Sequence, residues 1–384
     1  WLRLALVIPA LWTLAEWVRG WIFTGFPWLS LGYSQTGSPL AGFAPVLGVF
    51  GVSLAVLACA GLLALAVQTR GLQRLAAVGA GLLIAAAGQG LRQVEWTTPD
   101  GAPVSVALAQ GNVEQSLKFE PGRYAQTLAT YRRLATQSAA QLVVLPETAI
   151  PRLLNQVEAL YLEDLRDSFA ARGADLLLGA PLAERGNFYN SVVSLGVAPA
   201  QRYDKVHLVP FGEFIPPGFG WILDVLQIPL SDFSAGSTTQ KPLALGRTRA
   251  LRVAVNICYE DAFGNEIARQ LPEAGLLVNV SNVAWFGDSL APDQHLQISR
   301  LRALETGRSM LRATNSGVTA IIDQRGEVRA RLPKFSEGLL EGSAQPMQGA
   351  TPFVRAGNAP VLLLCALVLF VAWRRRRSAP PAPR

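Results

Sequence analysis

Cysteine, histidine and methionine are scarce in this chain of 384 residues, which has three Cys, two His and two Met. Cys59 and Cys365 fall inside apolar runs and leave Cys258 alone in the polar part, so neither a disulfide framework nor a cysteine zinc site can be built. His207 and His295 show no H-x-x-x-H pairing, which removes the usual helical ligand pair as well, and no metal is expected. Charge is also sparse, at 16% of residues against roughly 25% in an average soluble domain, while 50% are hydrophobic. A wholly soluble protein and a largely disordered one are both excluded. No repeat of 20 to 50 residues is visible, and only the Pro-rich end SAPPAPR reads as a disordered tail. An opening methionine is missing too: Trp1 stands within an apolar stretch already under way, so an N-terminally truncated chain is expected.

What is present begins with membrane-like segments. LALVIPALWTLAEWV after Arg3 is apolar apart from Glu16 and reads as the end of a spanning helix. Ala41 to Val67 carries no charge and is long enough for about 30 Å of hydrocarbon, and Leu75 to Leu91 lies near the lower length limit. Ala359 to Trp373 is shorter and ends in Trp and four Arg, an interfacial anchor and stop. The net charge of +7 gathers densely only at Arg374 to Arg377, which argues for membrane orientation and against nucleic acid. Placing that run and Arg70 and Arg74 in the cytoplasm puts the intervening polar region on the far side. The expected organisation is membrane helices over 1–91 with an aromatic loop at 21–42, a polar domain over 92–357, a terminal span at 358–373 and a cytoplasmic basic tail at 374–384. The loop's Trp21 to Tyr33 segment suits either a structural belt at headgroup level or a role in admitting lipid.

Between Val104 and about Leu340, short β-rich runs alternate with amphipathic helical stretches, which defines an α/β domain. VSVALAQ, QLVVLPE, ADLLLGA, YNSVVSL, RVAVNIC, LLVNVSN and VTAIID read as buried strands. Helices are expected over Pro121 to Ala140, Gln156 to Arg172, Asn265 to Leu271 and Asp293 to Met310. Three reactive side chains fall at or beside strand ends, where α/β sheets usually present their chemistry. Glu147 follows LVVLP, Lys205 stands in RYDKVHLVPFGEF, and Cys258 ends VAVNI. Singly each has a structural explanation: a small buried hydrophobe, a helix-entry charge, a solvated lysine. Together they satisfy the need of a catalytic thiol for a base and a nearby cation. A Cys–His dyad with His207 or His295 competes, although the periodicity of DQHLQISRLRALE accounts for His295 as a helix-surface or packing residue.

The segments LPET, DKVHLVPFGEF and NICYED resemble the Glu, Lys and Cys blocks of the nitrilase, or carbon–nitrogen hydrolase, superfamily. With the membrane segments, and with EWVRGWIFTGFPWLSLGYSQ, QGNVEQSLKFE, SNVAWFG, RALETGR and RATNSGVTA, the chain is similar to the membrane branch, the apolipoprotein N-acyltransferases of Gram-negative bacteria. The resemblance implies a nitrilase-like α-β-β-α sandwich inserted between transmembrane helices of a multi-pass inner-membrane protein and facing the periplasm. It implies Glu147 as general base, Lys205 as oxyanion cation and Cys258 as nucleophile. Glu213 would position Lys205 and the base, Tyr259 and Glu260 would shape the pocket, and Phe119 and Trp285 would contact substrate. Two positions depart from the family pattern: Val283 where Asp is expected and Phe119 where Trp is common.

The implied reaction is ping-pong transfer of a fatty acyl chain, without cofactor, from a membrane phospholipid to the N-terminal amine of diacylglyceryl-cysteine apolipoproteins. Phosphatidylethanolamine is the expected donor, and the enzyme is expected to be a monomer with no nucleic-acid partner. The rival readings are a membrane-anchored amidase acting on a small amide and a catalytically silent scaffold or transporter-like protein. Pro216, Pro217 and Gly218 mark a candidate mobile arm.

Overall fold

A computed structural model describes residues 2–114, 121–216, 232–248 and 250–377. The described residues form two compact units. One comprises the chain up to Trp96, Leu304–Thr306 and the part from Ala350 on; the other comprises Thr97–Ala303 and Gly307–Gly349.

The first unit is helical, with α1 (Ile8–Arg19), α2 (Ala44–Gln68), α3 (Gly71–Arg92), α8 (Pro352–Ala356) and α9 (Ala359–Arg377). By length and composition, Pro39–Gln68 and Gly71–Arg92 can each cross a membrane. The uninterrupted span expected from Ala41 to Val67 is broken at Gly48, whose backbone at φ 68° and ψ −171° is one that a side chain strongly disfavours. From Val49 onward the helix still measures about 30 Å at 1.5 Å per residue, enough for the hydrocarbon core. Leu72, Leu75, Leu82 and Leu83 leave α3 with an exposed apolar face of the kind that lipid covers. Glu16, buried on α1, accepts hydrogen bonds from the Leu31 N–H at 2.9 Å and the Trp12 indole at 3.2 Å. Its carboxylate thereby ties down the aromatic segment, in which Trp21, Phe23, Phe26 and Leu29 remain exposed.

The second unit is built on two six-stranded sheets. Its short edge pair is β1 (Thr98–Pro99) with β14 (Met347–Gln348). The first sheet contains β2 (Val104–Gln110), β3 (Leu142–Val144), β4 (Asp175–Glu184), β5 (Asn187–Gly196), β6 (Arg202–Asp204) and β13 (Gly338–Ala344), in the order β13-β2-β3-β4-β5-β6. The second contains β7 (Leu243–Leu245), β8 (Leu251–Ile257), β9 (Leu276–Ser281), β10 (Ser309–Thr314), β11 (Ala320–Ile322) and β12 (Val328–Arg331), in the order β12-β11-β10-β9-β8-β7. Strands β2, β3 and β4 run parallel, as do β8, β9 and β10, and the remaining neighbours are antiparallel. Period-two alternation divides each strand between two cores. Val106, Leu108, Leu142 and Val144 join Val253, Val255, Val278 and Val280 between the sheets. Ala107, Ala109, Val143 and Leu145 instead pack under α4 (Pro121–Gln137) and α5 (Ala159–Ala171) through Leu128, Tyr131, Leu134, Leu165 and Phe169. On the other side lie α6 (Gly264–Ala268) and α7 (Ala291–Thr306), the latter bonded to β10 through Ser299 and Arg312 at 3.0 Å. The layers are therefore α-β-β-α.

Several element boundaries differ from the pattern-based ones. The helix expected to run to Met310 ends at Thr306, because Gly307 adopts the left-handed cap at φ 63°, and Ser309–Thr314 becomes a central strand. A buried Arg312 in that strand hides it from a search for apolar runs. Edge strands β6, β7 and β12, of three or four residues, carry too little periodicity to show in sequence, and β13 is interrupted by Gly338 and Gly342.

Parallel pairing of β3 with β4 brings Gly179 against the turn that follows β3. A Cβ at Gly179 would lie 2.4 Å from the Pro146 carbonyl oxygen and 2.8 Å from the Glu147 Cα. Gly179→Ala should therefore displace the Glu147 turn and cost on the order of 1–3 kcal/mol, read as a lower Tm in a thermal melt of the detergent-solubilised protein. An unchanged Tm would show that the turn yields freely.

Candidate active site

The candidate residues converge at the carboxyl ends of the parallel strands. Glu147 follows β3 in a turn held by the Leu145 N–H donating to Leu177 O at 2.8 Å and by the Ile150 N–H donating to Gly179 O at 3.3 Å. Lys205 follows β6, its N–H bonded to Asn190 O at 2.8 Å and its carbonyl to the Gly236 N–H at 2.8 Å. Cys258 follows β8 and opens a tight turn with φ 54°, a left-handed backbone that costs about 1–3 kcal/mol at a non-glycine residue.

Lys205 is 1% exposed, which overturns its reading as a solvated lysine. Its Nζ lies 2.8 Å from Glu213 and 3.5 Å from Glu147 Oε1. Burial opposes the ammonium charge, but the Glu213 and Glu147 carboxylates outweigh it and hold the lysine above its ordinary range, permanently cationic. Asn190, on β5, donates to Glu147 Oε1 and to Glu213 Oε1, each at 2.8 Å. The Asn282 N–H donates to Glu147 Oε2 at 2.7 Å, and the Val209 N–H to Glu213 Oε2 at 2.8 Å. Each carboxylate is thus held by an ammonium, an amide side chain and a backbone donor. Asn190 and Asn282 were not singled out from sequence; YNSVVSL read only as a strand, and an inward polar residue near its start was the available signal.

Burial pushes the Cys258 thiol up, the Glu147 carboxylate adds to the rise, and Lys205 acts against it. A thiol so placed rests protonated and needs a base at the moment of attack. Glu147 is the carboxylate most strongly coupled to the thiol, and the Lys205 cation coupled to it is of the kind that can stabilise a developing oxyanion.

The supporting residues divide. Glu260 accepts from the Val206 N–H at 2.6 Å, the His207 N–H at 3.1 Å and the Ile257 N–H at 2.7 Å, with the Tyr203 hydroxyl at 3.1 Å from both carboxylate oxygens. It joins the lysine segment to the Cys258 turn. Its pKa is pushed up to about 7 by burial, with the backbone N–H donors and Lys205 pulling the other way. Tyr259 packs edge-on to Phe263 and His207. Trp285, on a short turn at Ala284–Phe286, is 64% exposed and joins no cluster with the three candidates. Phe119, Pro217 and Gly218 lie outside the described residues. Val283 is buried, and a Cβ at Gly317 would stand 2.3 Å from its Cγ2, so the position packs apolar against Gly317.

Each histidine stands against a carboxylate, Glu266 for His207 and Asp261 for His295. His207 stacks on Phe263 and pairs with Glu266 at 3.1 Å. His295 is fully buried, which decides between its helix-surface and packing readings in favour of packing, and it reaches the Cys258 backbone carbonyl at 3.2 Å.

The sandwich with its Glu, Lys and Cys at the strand ends fits the carbon–nitrogen hydrolase class, whose family model matches residues 105–350. A second model, the apolipoprotein N-acyltransferase N-terminal domain, matches residues 1–62. An apolipoprotein N-acyltransferase of Nitrosomonas europaea is 53% identical over 371 residues, covering 94% of this chain and 73% of that protein. Those of Ralstonia nicotianae and Chromobacterium violaceum are 49% and 47% identical, covering 98% and 97% of this chain and 72% and 74% of their own lengths. The chain belongs to the apolipoprotein N-acyltransferases, the membrane-associated branch of the carbon–nitrogen hydrolases.

The raised thiol has a measurable consequence. Alkylation of Cys258 by iodoacetamide, followed by peptide mapping, should still be accelerating through pH 9–10, whereas a free thiol of pKa about 8.5 levels off. Glu147→Gln removes the carboxylate that opposes the thiolate and should shift the profile to lower pH. A plateau near pH 8.5 in the wild type would contradict the assigned electrostatics.

Proposed function

We propose that Cys258, Glu147 and Lys205 carry acyl transfer from a membrane phospholipid to the N-terminal amine of a diacylglyceryl-cysteine lipoprotein. The observation that carries this reading is the buried Lys205 ammonium between Glu147 and Glu213, coupled to the Cys258 thiol, in a chain with two apolar helices of bilayer length.

In the first half-reaction Glu147 takes the thiol proton as the sulfur attacks the ester carbonyl. Lys205 stabilises the tetrahedral oxyanion, whose collapse breaks the ester C–O bond. The proton held on Glu147 passes to the departing alkoxide, which leaves as lysophospholipid, and a thioester remains on Cys258. In the second half the lipoprotein amine attacks the thioester and Glu147 accepts its proton. Breaking the C–S bond then gives the amide, and the proton returns to the sulfur. Lys205 serves both oxyanions, and Glu213 and Asn190 hold it and the base in place.

Both substrates carry acyl chains, and drawing one into water would cost about 0.8 kcal/mol per CH₂, so this chemistry has to take place at a bilayer. The proposed topology follows the positive-inside rule, with Arg70, Arg74 and Arg374 to Arg377 cytoplasmic and the sandwich periplasmic. Exposed Trp21, Phe23 and Phe26 then suit the headgroup level.

Incubation of the full protein in phospholipid micelles without acceptor should give a fatty-acyl adduct on Cys258 by intact mass and peptide mapping. The adduct should be absent in Cys258→Ala and should discharge on addition of a diacylglyceryl-cysteine peptide. Hydrolysis of small amides with no acyl adduct would favour an anchored amidase instead. Asn190→Ala frees both carboxylates from their shared donor and should slow acyl transfer by about tenfold to hundredfold, with less effect on the phospholipid KM. A wild-type rate for that variant would remove Asn190 from the site.

A further inference from the structure

Behind the nucleophile turn lies a buried polar network that neither half-reaction uses. Asp261 Oδ1 stands 2.7 Å from His295 Nε2, while its Oδ2 accepts from Ser299 Oγ at 2.6 Å and from Arg312 Nη1 at 3.3 Å. Arg312 Nη1 also donates to Asn279 Oδ1 at 2.6 Å and to Ser299 Oγ at 3.0 Å, and Ser281 Oγ donates to Asn279 Oδ1 at 2.8 Å. Asp261, Asn279, Ser281, His295, Ser299 and Arg312 are all fully buried. Arg312 bonds through Nη1, its Nε and Nη2 being buried without a hydrogen-bond partner among the described residues, and an ion pair sealed so completely from water fixes the groups that do pair with it.

This network meets the reacting residue at one backbone atom. The Cys258 carbonyl oxygen accepts from His295 Nε2 at 3.2 Å and from Asn279 Nδ2 at 3.1 Å. Both neighbours of His295 Nε2, the Asp261 carboxylate and the Cys258 carbonyl, are acceptors, so this nitrogen carries the proton. Burial holds the His295 pKa below its ordinary value of 6.5, with the Arg312 cation acting in the same sense and Asp261 against it. The ring is therefore a neutral, fixed donor at neutral pH. The carbonyl it grips belongs to the one residue of the turn with a left-handed backbone, φ 54°. Because the peptide is planar, fixing that oxygen also fixes the plane of the Cys258–Tyr259 bond and the direction of the Tyr259 N–H.

We propose that His295, oriented by Asp261, is a positioning residue that pins the Cys258 carbonyl and so holds the thiol in register with Glu147 and Lys205. This rests on the assignment of Cys258 as nucleophile. His295 touches no reacting atom; its contribution is to the geometry of attack, to which rates are steeply sensitive.

The test exploits the shapes of two amides. A Gln side chain can place its amide nitrogen close to the site of imidazole Nε2, whereas Asn reaches only as far as Nδ1. Single-turnover acylation of Cys258 from phospholipid micelles should be within about threefold of wild type in His295→Gln and about tenfold to hundredfold slower in His295→Asn, with the phospholipid KM changed by less than about twofold. Leu301→Ala, a buried substitution on the same helix, should lower Tm without slowing acylation. Equal rates for the Gln and Asn variants, whether both fast or both slow, would overturn the proposal. So would a Leu301→Ala variant slowed as much as His295→Asn. If His295→Asn does not fold, a folded His295→Gln variant slowed tenfold or more overturns it. Acylation persisting in Cys258→Ala would instead defeat the nucleophile assignment itself.

Discussion

The candidate site of the second unit is organised around the buried Lys205 ammonium. Removing an ammonium from water costs several kcal/mol even after a protein relaxes around it, and Lys205 bears that cost at 1% exposure. It persists because Glu213 and Glu147 stand within 2.8 and 3.5 Å and because Asn190 and the backbone N–H groups of Val209 and Asn282 complete the carboxylates. Two carboxylates against one ammonium leave the cluster with a net negative charge. Burial first, and the carboxylates with it, keep the resting thiol protonated, which makes proton transfer to Glu147 part of the attack in the proposed mechanism.

The same cluster dictates what the sheets must do. Its members come from the turn after β3, from β5, from the segment after β6 and from the turns after β8 and β9. Both sheets therefore end their strands in one place, and the apolar layer between them, including Val106, Val144, Val255 and Val278, sets the distance from one set of strand ends to the other. Glu260 then locks the lysine segment to the nucleophile turn through three backbone N–H groups. Strain at Cys258 is sustained on one side by this clamp and on the other by the donors His295 and Asn279.

The helical unit answers a different constraint, the solubility of the proposed substrates. Its longest helices present leucines outward, and the buried Glu16 bonds through Oε1 to the Leu31 N–H and the Trp12 indole. Apolar side chains fill the interior, as Val49, Phe50, Leu62 and Leu65 do, and also cover the outside, as Leu63, Leu75, Leu82 and Leu83 do. This is the distribution that hydrocarbon requires of its solutes.

The sequence alone was enough for the α/β class, the two bilayer-length helices and the seven principal strand cores, and it singled out the three residues on which the proposed chemistry rests. Each of these is written locally: an uncharged run of bilayer length, a short apolar run, or a reactive side chain where such a run stops. Asn190 and Asn282 were not legible, because a polar residue on a strand acquires meaning only when pairing turns it toward a carboxylate. The left-handed cap at Gly307 and the strand Ser309–Thr314 were missed because a buried arginine breaks the apolar pattern that marks a central strand. His295 was left between helix surface and packing because helical periodicity reports spacing along one element and not what is packed against it. The tertiary structure decided these through burial and partner choice. Charge stability in a low-dielectric interior depends on which groups meet, and those groups are separated by up to 135 residues, as between Glu147 and Asn282.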